Sequence, residues 1–130
     1  MFDICIEKTK SSPQVSYDNE LNVLNIEGES YPENAFKFYE PLFGWMDEYF
    51  KAEGRRLQVD IGLVYLNTSS IKCIMDMIYR LEQESCKGHN IAVNWYYDKR
   101  NRNIKECGIE LQEDLESEMA FNIIEVQAQE

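Results

Sequence analysis

A single α/β domain, a mixed β-sheet with helices packed against it, is the fold the sequence predicts, and three observations lead there. Strand-type and helix-type periodicities alternate along the chain. Segment 57–66 carries apolar side chains on both faces near its end, as a centrally placed strand does. A chain of 130 residues with 44% hydrophobic content suits one core, and no repeat, low-complexity tract or linker divides it.

Each element has its own signal. Residues 15–17 and 21–26 predict a hairpin with Asp18 and Asn19 as its turn, closed after the second strand by Gly28. Residues 30–34 lead into a helix over 35–52, whose apolar positions Ala35, Phe38, Leu42, Trp45, Met46 and Tyr49 follow helical spacing. Pro41 cannot donate to the carbonyl of Lys37, which predicts a kink there, or a short first turn with the main helix starting near Pro41. Gly54 ends the segment. In strand 57–66, Leu57, Val59, Ile61, Leu63 and Tyr65 line one face, with Val64 and Leu66 on the other. A helix over 70–86 follows, with Ile71, Ile74, Met75, Ile78 and Leu81 as its apolar stripe and Gly88 as its stop. Ile91, Val93 and Trp95 alternate in a strand ending at Tyr97. A polar loop over 98–103, a weaker helix over 104–115, a short strand over 121–126 and a polar tail over 127–130 complete the order.

Composition excludes several functions. There are 24 acidic against 13 basic residues, a formal net charge of -11, and phosphate backbones and anionic membranes both demand clustered cations. No segment approaches the roughly 20 apolar residues of a membrane span, and the N-terminus lacks the pattern of a signal peptide. The cysteines Cys5, Cys73, Cys86 and Cys107 form no C-x-x-C pair and read as reduced thiols of a cytoplasmic protein. His89 is the one histidine. It is expected in a surface or capping role at the sheet edge opposite the hydroxyl-rich turn, too far away to serve a serine or threonine nucleophile as a base. Acidic runs such as 113–116 read as a solvated face. Without a glycine-rich phosphate loop or metal-ligand cluster, the chain is expected to be non-enzymatic and to carry no metal or cofactor.

The most informative run is Tyr65-Leu66-Asn67-Thr68-Ser69-Ser70-Ile71, which places three hydroxyls where an apolar strand ends and an amphipathic helix begins. Free N–H groups at a helix start attract hydroxyls, carboxylates and phosphates. On the residues alone, Asn67, Thr68, Ser69 and Ser70 read first as a turn and helix cap, and otherwise as a chemical switch. A β-α-β unit over 57–97 favours parallel pairing through a right-handed crossover. It brings this turn and the 98–103 loop to the same carboxyl edge, where sites gather in open α/β sheets. Lys99, Arg100 and Arg102 then make that edge a sensible place for a phosphate. Trp95, Tyr96 and Tyr97 are expected in the core and on the sheet surface, and excess aromatics such as Phe36 or Tyr39 are candidates to face a partner.

Tyr31-Pro32-Glu33-Asn34, the run from Tyr65 to Lys72, and Trp95-Tyr96-Tyr97-Asp98 resemble the SiaC-type family of bacterial regulatory phosphoproteins, in the same order and at similar spacing over about 13–124. From Leu115 onward no distinctive motif matches. That family is similar to the STAS domains of anti-sigma-factor antagonists, so the resemblance implies a STAS-like domain. It also implies a partner switch. A dedicated kinase would phosphorylate Thr68 and a PP2C-like phosphatase would restore it, the dephosphorylated form binding and activating a diguanylate cyclase, with biofilm or aggregation as the outcome. Lys99, Arg100, Arg102, Tyr31 and Asn34 are the expected phosphate or partner contacts. An anti-sigma-factor antagonist, or another protein-binding module of a different pathway, is the alternative.

Overall fold

A computed structural model of the chain describes residues 3–127. Their elements run β1 (Cys5–Ile6), β2 (Gln14–Asp18), β3 (Val23–Ser30), α1 (Ala35–Tyr49), β4 (Arg56–Leu66), α2 (Thr68–Cys86), β5 (Asn90–Asp98), α3 (Arg102–Glu113) and β6 (Ala120–Val126). The six strands form one mixed sheet in chain order. The pairs β1–β2 and β2–β3 are antiparallel, and β3–β4, β4–β5 and β5–β6 are parallel. The expected tail beyond residue 127 lies outside the described residues.

Because strand order follows chain order, the three helical crossovers all step the same way, and right-handed connections then place all three helices on one face. Burial agrees. Along β4, Leu57, Val59, Ile61 and Leu63 are buried while Gln58, Asp60 and Gly62 are only half-buried, and β5 alternates likewise. The uncovered face is polar and tied together laterally. Asp60 Oδ1 accepts from Gln58 Nε2 and Asn94 Nδ2, each at 3.0 Å, and Asn94 Oδ1 accepts from Asn122 Nδ2 at 3.0 Å.

Several elements depart from expectation for identifiable reasons. β1 is two residues long, too short for a periodic signal. The hairpin turn spans residues 19–22, with Leu21 exposed in it. Asn22 takes the left-handed conformation (φ 56°), its side chain accepting from the Tyr17 hydroxyl at 2.7 Å. β3 runs past Gly28, which at φ +123° absorbs an irregularity instead of ending the strand. Helix α1 continues across exposed Pro41 rather than restarting there, and it stops at Tyr49, short of Ala52. Its core stripe contains Tyr39 where the spacing suggested Phe38. In α2 the buried stripe includes Met77 and leaves Met75 exposed. His89 is 7% exposed, not at the surface. Its Nδ1 accepts from the Arg55 N–H at 2.9 Å, which puts the proton of the neutral ring on Nε2, 3.5 Å from Glu84 Oε1.

The end of β4 shapes the surface beside the hydroxyl-rich turn. Gly28 pairs with Leu63, but Glu29 pairs with Tyr65, so Val64 is an extra residue with no partner on β3. One extra residue flips every later side chain. Tyr65 therefore turns outward, and Leu66 turns into the core. This reverses the two faces that strict alternation assigns to them.

Two packing constraints anchor the helices to the sheet. Ser30 on β3, 0% exposed, donates to Ser70 Oγ on α2 at 2.7 Å and therefore accepts from the Tyr39 hydroxyl of α1, also at 2.7 Å. Burial pushes the Tyr39 phenol up to about 12, so it stays a donor. On the other side, Trp95 is fully buried with its Nε1 bonded to the Ile104 carbonyl at 2.9 Å, and Gly108 of α3 lies against its ring.

Both constraints are measurable. Replacing Ser30 by Ala strands two buried hydroxyls, so urea titration should show a loss of about 1–3 kcal/mol. Gly108→Ala would ordinarily add up to about 1 kcal/mol of helix propensity. Here the new Cβ would overlap the immobile Trp95 ring, an overpacking penalty of about 1–3 kcal/mol. A lowered Tm is expected, and a raised one would show that the ring can yield.

Candidate functional site

Three helix N-termini, α1, α2 and α3, gather at the carboxyl edge of β3, β4 and β5, because every helix here follows a parallel strand. Asn67 organises the central one. Its N–H donates to the Ser30 carbonyl at 3.0 Å, which ties the turn to the end of β3. Its side-chain oxygen accepts from the Ser70 N–H at 2.8 Å, and its carbonyl accepts from Ile71 at 2.9 Å. Asn67 is thus the N-cap, and α2 begins at Thr68, two residues earlier than the spacing of apolar residues indicated.

That placement sorts the three hydroxyls. Ser70 is fully buried and bonded to Ser30, so its hydroxyl faces the interior and neither caps the helix nor meets solvent. Thr68 and Ser69 are exposed in the first turn. Their N–H groups have no intrahelical acceptor, and the positive end of the helix dipole favours an anion beside them by about 0.3–1 kcal/mol. Burial therefore removes one of the three from contact with solvent, while exposure alone does not distinguish the other two.

The 98–103 connection meets this edge through a residue that the count of cations missed. Asn101 Nδ2 donates to the Val64 carbonyl at 2.9 Å, satisfying backbone near the bulge, while its Oδ1 caps α3 through the Ile104 N–H at 3.2 Å. Arg100 is engaged with Asp98, which accepts its backbone N–H at 2.8 Å and its guanidinium at 3.3 Å. Those bonds hold the Asp98 carboxyl below its ordinary range. Lys99 is exposed, and Arg102 is exposed as the first residue of α3 instead of lying in a loop. Asn34 caps α1 by accepting from the Lys37 N–H at 3.1 Å. Tyr31 packs edge-on against Tyr65 at 5.7 Å between ring centroids, a contact that exists because the bulge turned Tyr65 outward. A cleft beside the turn is lined by Val64, Tyr65, Ile71, Asn101, Ile104 and Cys107. Of the two aromatics considered for a partner, Phe36 is exposed and Tyr39 is buried in the hydroxyl chain.

Ser30 and Tyr39 are structural neighbours of the turn that sequence reading did not connect with it. Ser30 closes β3 and Tyr39 is one tyrosine of an aromatic stretch; only the fold brings them under Ser70. Among the described residues, no group of three or more His, Cys, Asp or Glu could hold a metal ion, and no helix is long and apolar enough to cross a membrane.

Comparison with known proteins agrees with the fold. The model of the family described as SiaC family regulatory phosphoprotein matches residues 6–126. An uncharacterised protein of Pseudomonas aeruginosa strain UCBPP-PA14 is 39% identical over 115 residues, 88% of this chain and 90% of that one. SiaC of Pseudomonas aeruginosa superposes with a TM-score of 0.84 at 32% identity, covering 98% of this chain and all of that one. A chain from the crystal structure of the diguanylate cyclase SiaD in complex with its activator SiaC, from the same species, gives 0.88 at 34% identity, covering 95% and 100%. The chain described here belongs to the SiaC family of regulatory phosphoproteins.

Proposed function

We propose that this protein is a non-catalytic, cytoplasmic partner switch whose phosphate acceptor is Thr68. A dedicated kinase modifies it, a PP2C-like phosphatase restores it, and the dephosphorylated form binds and activates a diguanylate cyclase. The observation that carries this reading is an exposed threonine at the first position of α2 in a member of a family of regulatory phosphoproteins. The cyclase as partner rests on the similarity to SiaC, described as the activator of SiaD. In this reading Tyr31, Lys99 and Arg102 border the contact surface, while Asn34 and Arg100 serve mainly the local structure they already bond.

The physics of the switch favours an effect on the partner over one on the fold. A phosphate adds about -1.5 to -2 charges and three acceptor oxygens. Beside the unpaired N–H groups of α2 it is locally stabilised. A partner seated over the same spot must desolvate a dianion, and a penalty of about 3 kcal/mol is more than a hundredfold in affinity.

Calorimetric titration of a cognate diguanylate cyclase with wild type, Thr68→Ala and Thr68→Asp tests the reading. Thr68→Ala should bind like wild type. Thr68→Asp should bind at least tenfold more weakly while its unfolding free energy stays within about 0.5 kcal/mol. Equal affinity of folded Thr68→Asp and wild type would refute the switch. Mass spectrometry of protein from its native cells should find the phosphate on Thr68, and modification of Ser69 instead would move the site by one residue.

A further inference from the structure

The two ends of the sheet are finished differently. At one end β1 is two residues long, and so short an edge strand offers little for another chain to pair with. At the other end β6 runs for seven residues, Ala120–Val126, in unbroken register with β5. It has no proline, lysine or bulge, the devices that commonly blunt an exposed edge. In a parallel pair every second residue turns its N–H and C=O away from the neighbouring strand. Among the described residues β6 has a neighbour on one side only, so those groups line the rim of the sheet. Gln112 of α3 donates to one acceptor of the strand, the Phe121 carbonyl, at 2.8 Å. Ile123 and Ile124, which point to opposite faces, are half-buried, and Val126 is exposed.

The surroundings of this rim are acidic. Residues 106–127 form most of α3, the connection after it and β6 itself. They hold seven carboxylates and no lysine, arginine or histidine, and all seven are exposed. Glu125 stands on the strand, accepting from the Tyr97 hydroxyl at 3.4 Å. Lys105, the last cation before this stretch, lies over the Tyr97 ring at 5.7 Å from its centroid. A second copy of this chain would bring the same charges to the same rim, so repulsion guards β6 against pairing with itself. Those charges attract a cationic strand.

We infer that β6 is a pairing edge for an extended, cationic segment of another protein, which adds a seventh strand to the sheet. Backbone hydrogen bonds supply the attachment, and the acidic rim selects the charge of what attaches. β-branched residues alternating with lysine or arginine fit this edge. Successive side chains of an added strand stand beside Ile123 on one face and Ile124 on the other. The inference goes beyond the partner switch. β6 is two strands away from β4, whose end carries the hydroxyl-rich turn, and none of the turn residues takes part.

The probe is a synthetic peptide of about nine residues in which valine and lysine alternate, titrated calorimetrically into the full chain. A control with glutamate in place of lysine should bind at least tenfold more weakly. Two further peptides carry N-methyl groups on alternate amides, one peptide for each parity. Only one parity can face β6, so one methylated peptide should lose at least tenfold in affinity and the other should keep it. Diffuse attraction to lysines would treat the two alike. In amide exchange of the full chain, every second N–H of β6 should slow at least tenfold with the lysine peptide bound, while exchange along α2 stays unchanged. Equal binding of the two methylated peptides, protection that misses β6, or a glutamate peptide that binds as well would overturn the proposal. So would sedimentation showing a dimer of the free chain with β6 already protected, since the occupant would then be a second copy.

Discussion

The double engagement of Asn67 is the contact on which the rest of the site depends. One backbone bond fastens it to the last carbonyl of β3, and its side chain starts α2 at the end of β4. Beneath it, the Tyr39–Ser30–Ser70 chain of hydroxyls locks α1, β3 and α2 into one unit. Buried hydroxyls without partners are costly, so these three residues define each other's positions closely. Thr68 is left as an exposed group on a rigid mount. A group presented this way is suited to act on what approaches it, and a phosphate added there would have little internal structure to disturb.

The bulge at Val64 performs the complementary task. Without it, Tyr65 would enter the core and Leu66 would face outward, as simple alternation demands. With it, the strand delivers Tyr65 to Tyr31 at the surface and Leu66 to the interior, just before the turn. The Val64 carbonyl near this irregularity is satisfied by Asn101, which also starts α3. One extra residue thus shapes the surface beside Thr68 and ties the third helix to the second strand–helix junction. Along α2 the exposed stripe then continues from Thr68 to Met75 and Tyr79.

Much of this architecture is written in local pattern. The period-two runs of β4 and β5 and the helical stripe of α2 reflect a sheet covered on one side only, which is why Leu57, Val59, Ile61 and Leu63 stand out so plainly. The turn residues at 67–70 are legible for the same reason, since a cap follows local chemistry. What the pattern hides is non-local. Ser30 and Tyr39 look like an ordinary strand end and an ordinary aromatic until the fold places them under Ser70. Met77 is buried and Met75 exposed, against the expected stripe, because α2 packs on α1 and leaves its α3 side open. Asn101, flanked by conspicuous cations, is the residue that makes the contact.

On the proposed function, a phosphate at the first position of α2 alters a surface and leaves the fold in place. This is tested most directly by phosphorylating the protein with its kinase, then measuring cyclase affinity and amide hydrogen exchange on the same sample. Affinity should fall at least tenfold while the protection of Ser70, Ile74 and Leu81 stays unchanged. Lost protection along α2 accompanying the lost affinity would contradict it, because the switch would then work by unfolding the helix that carries it.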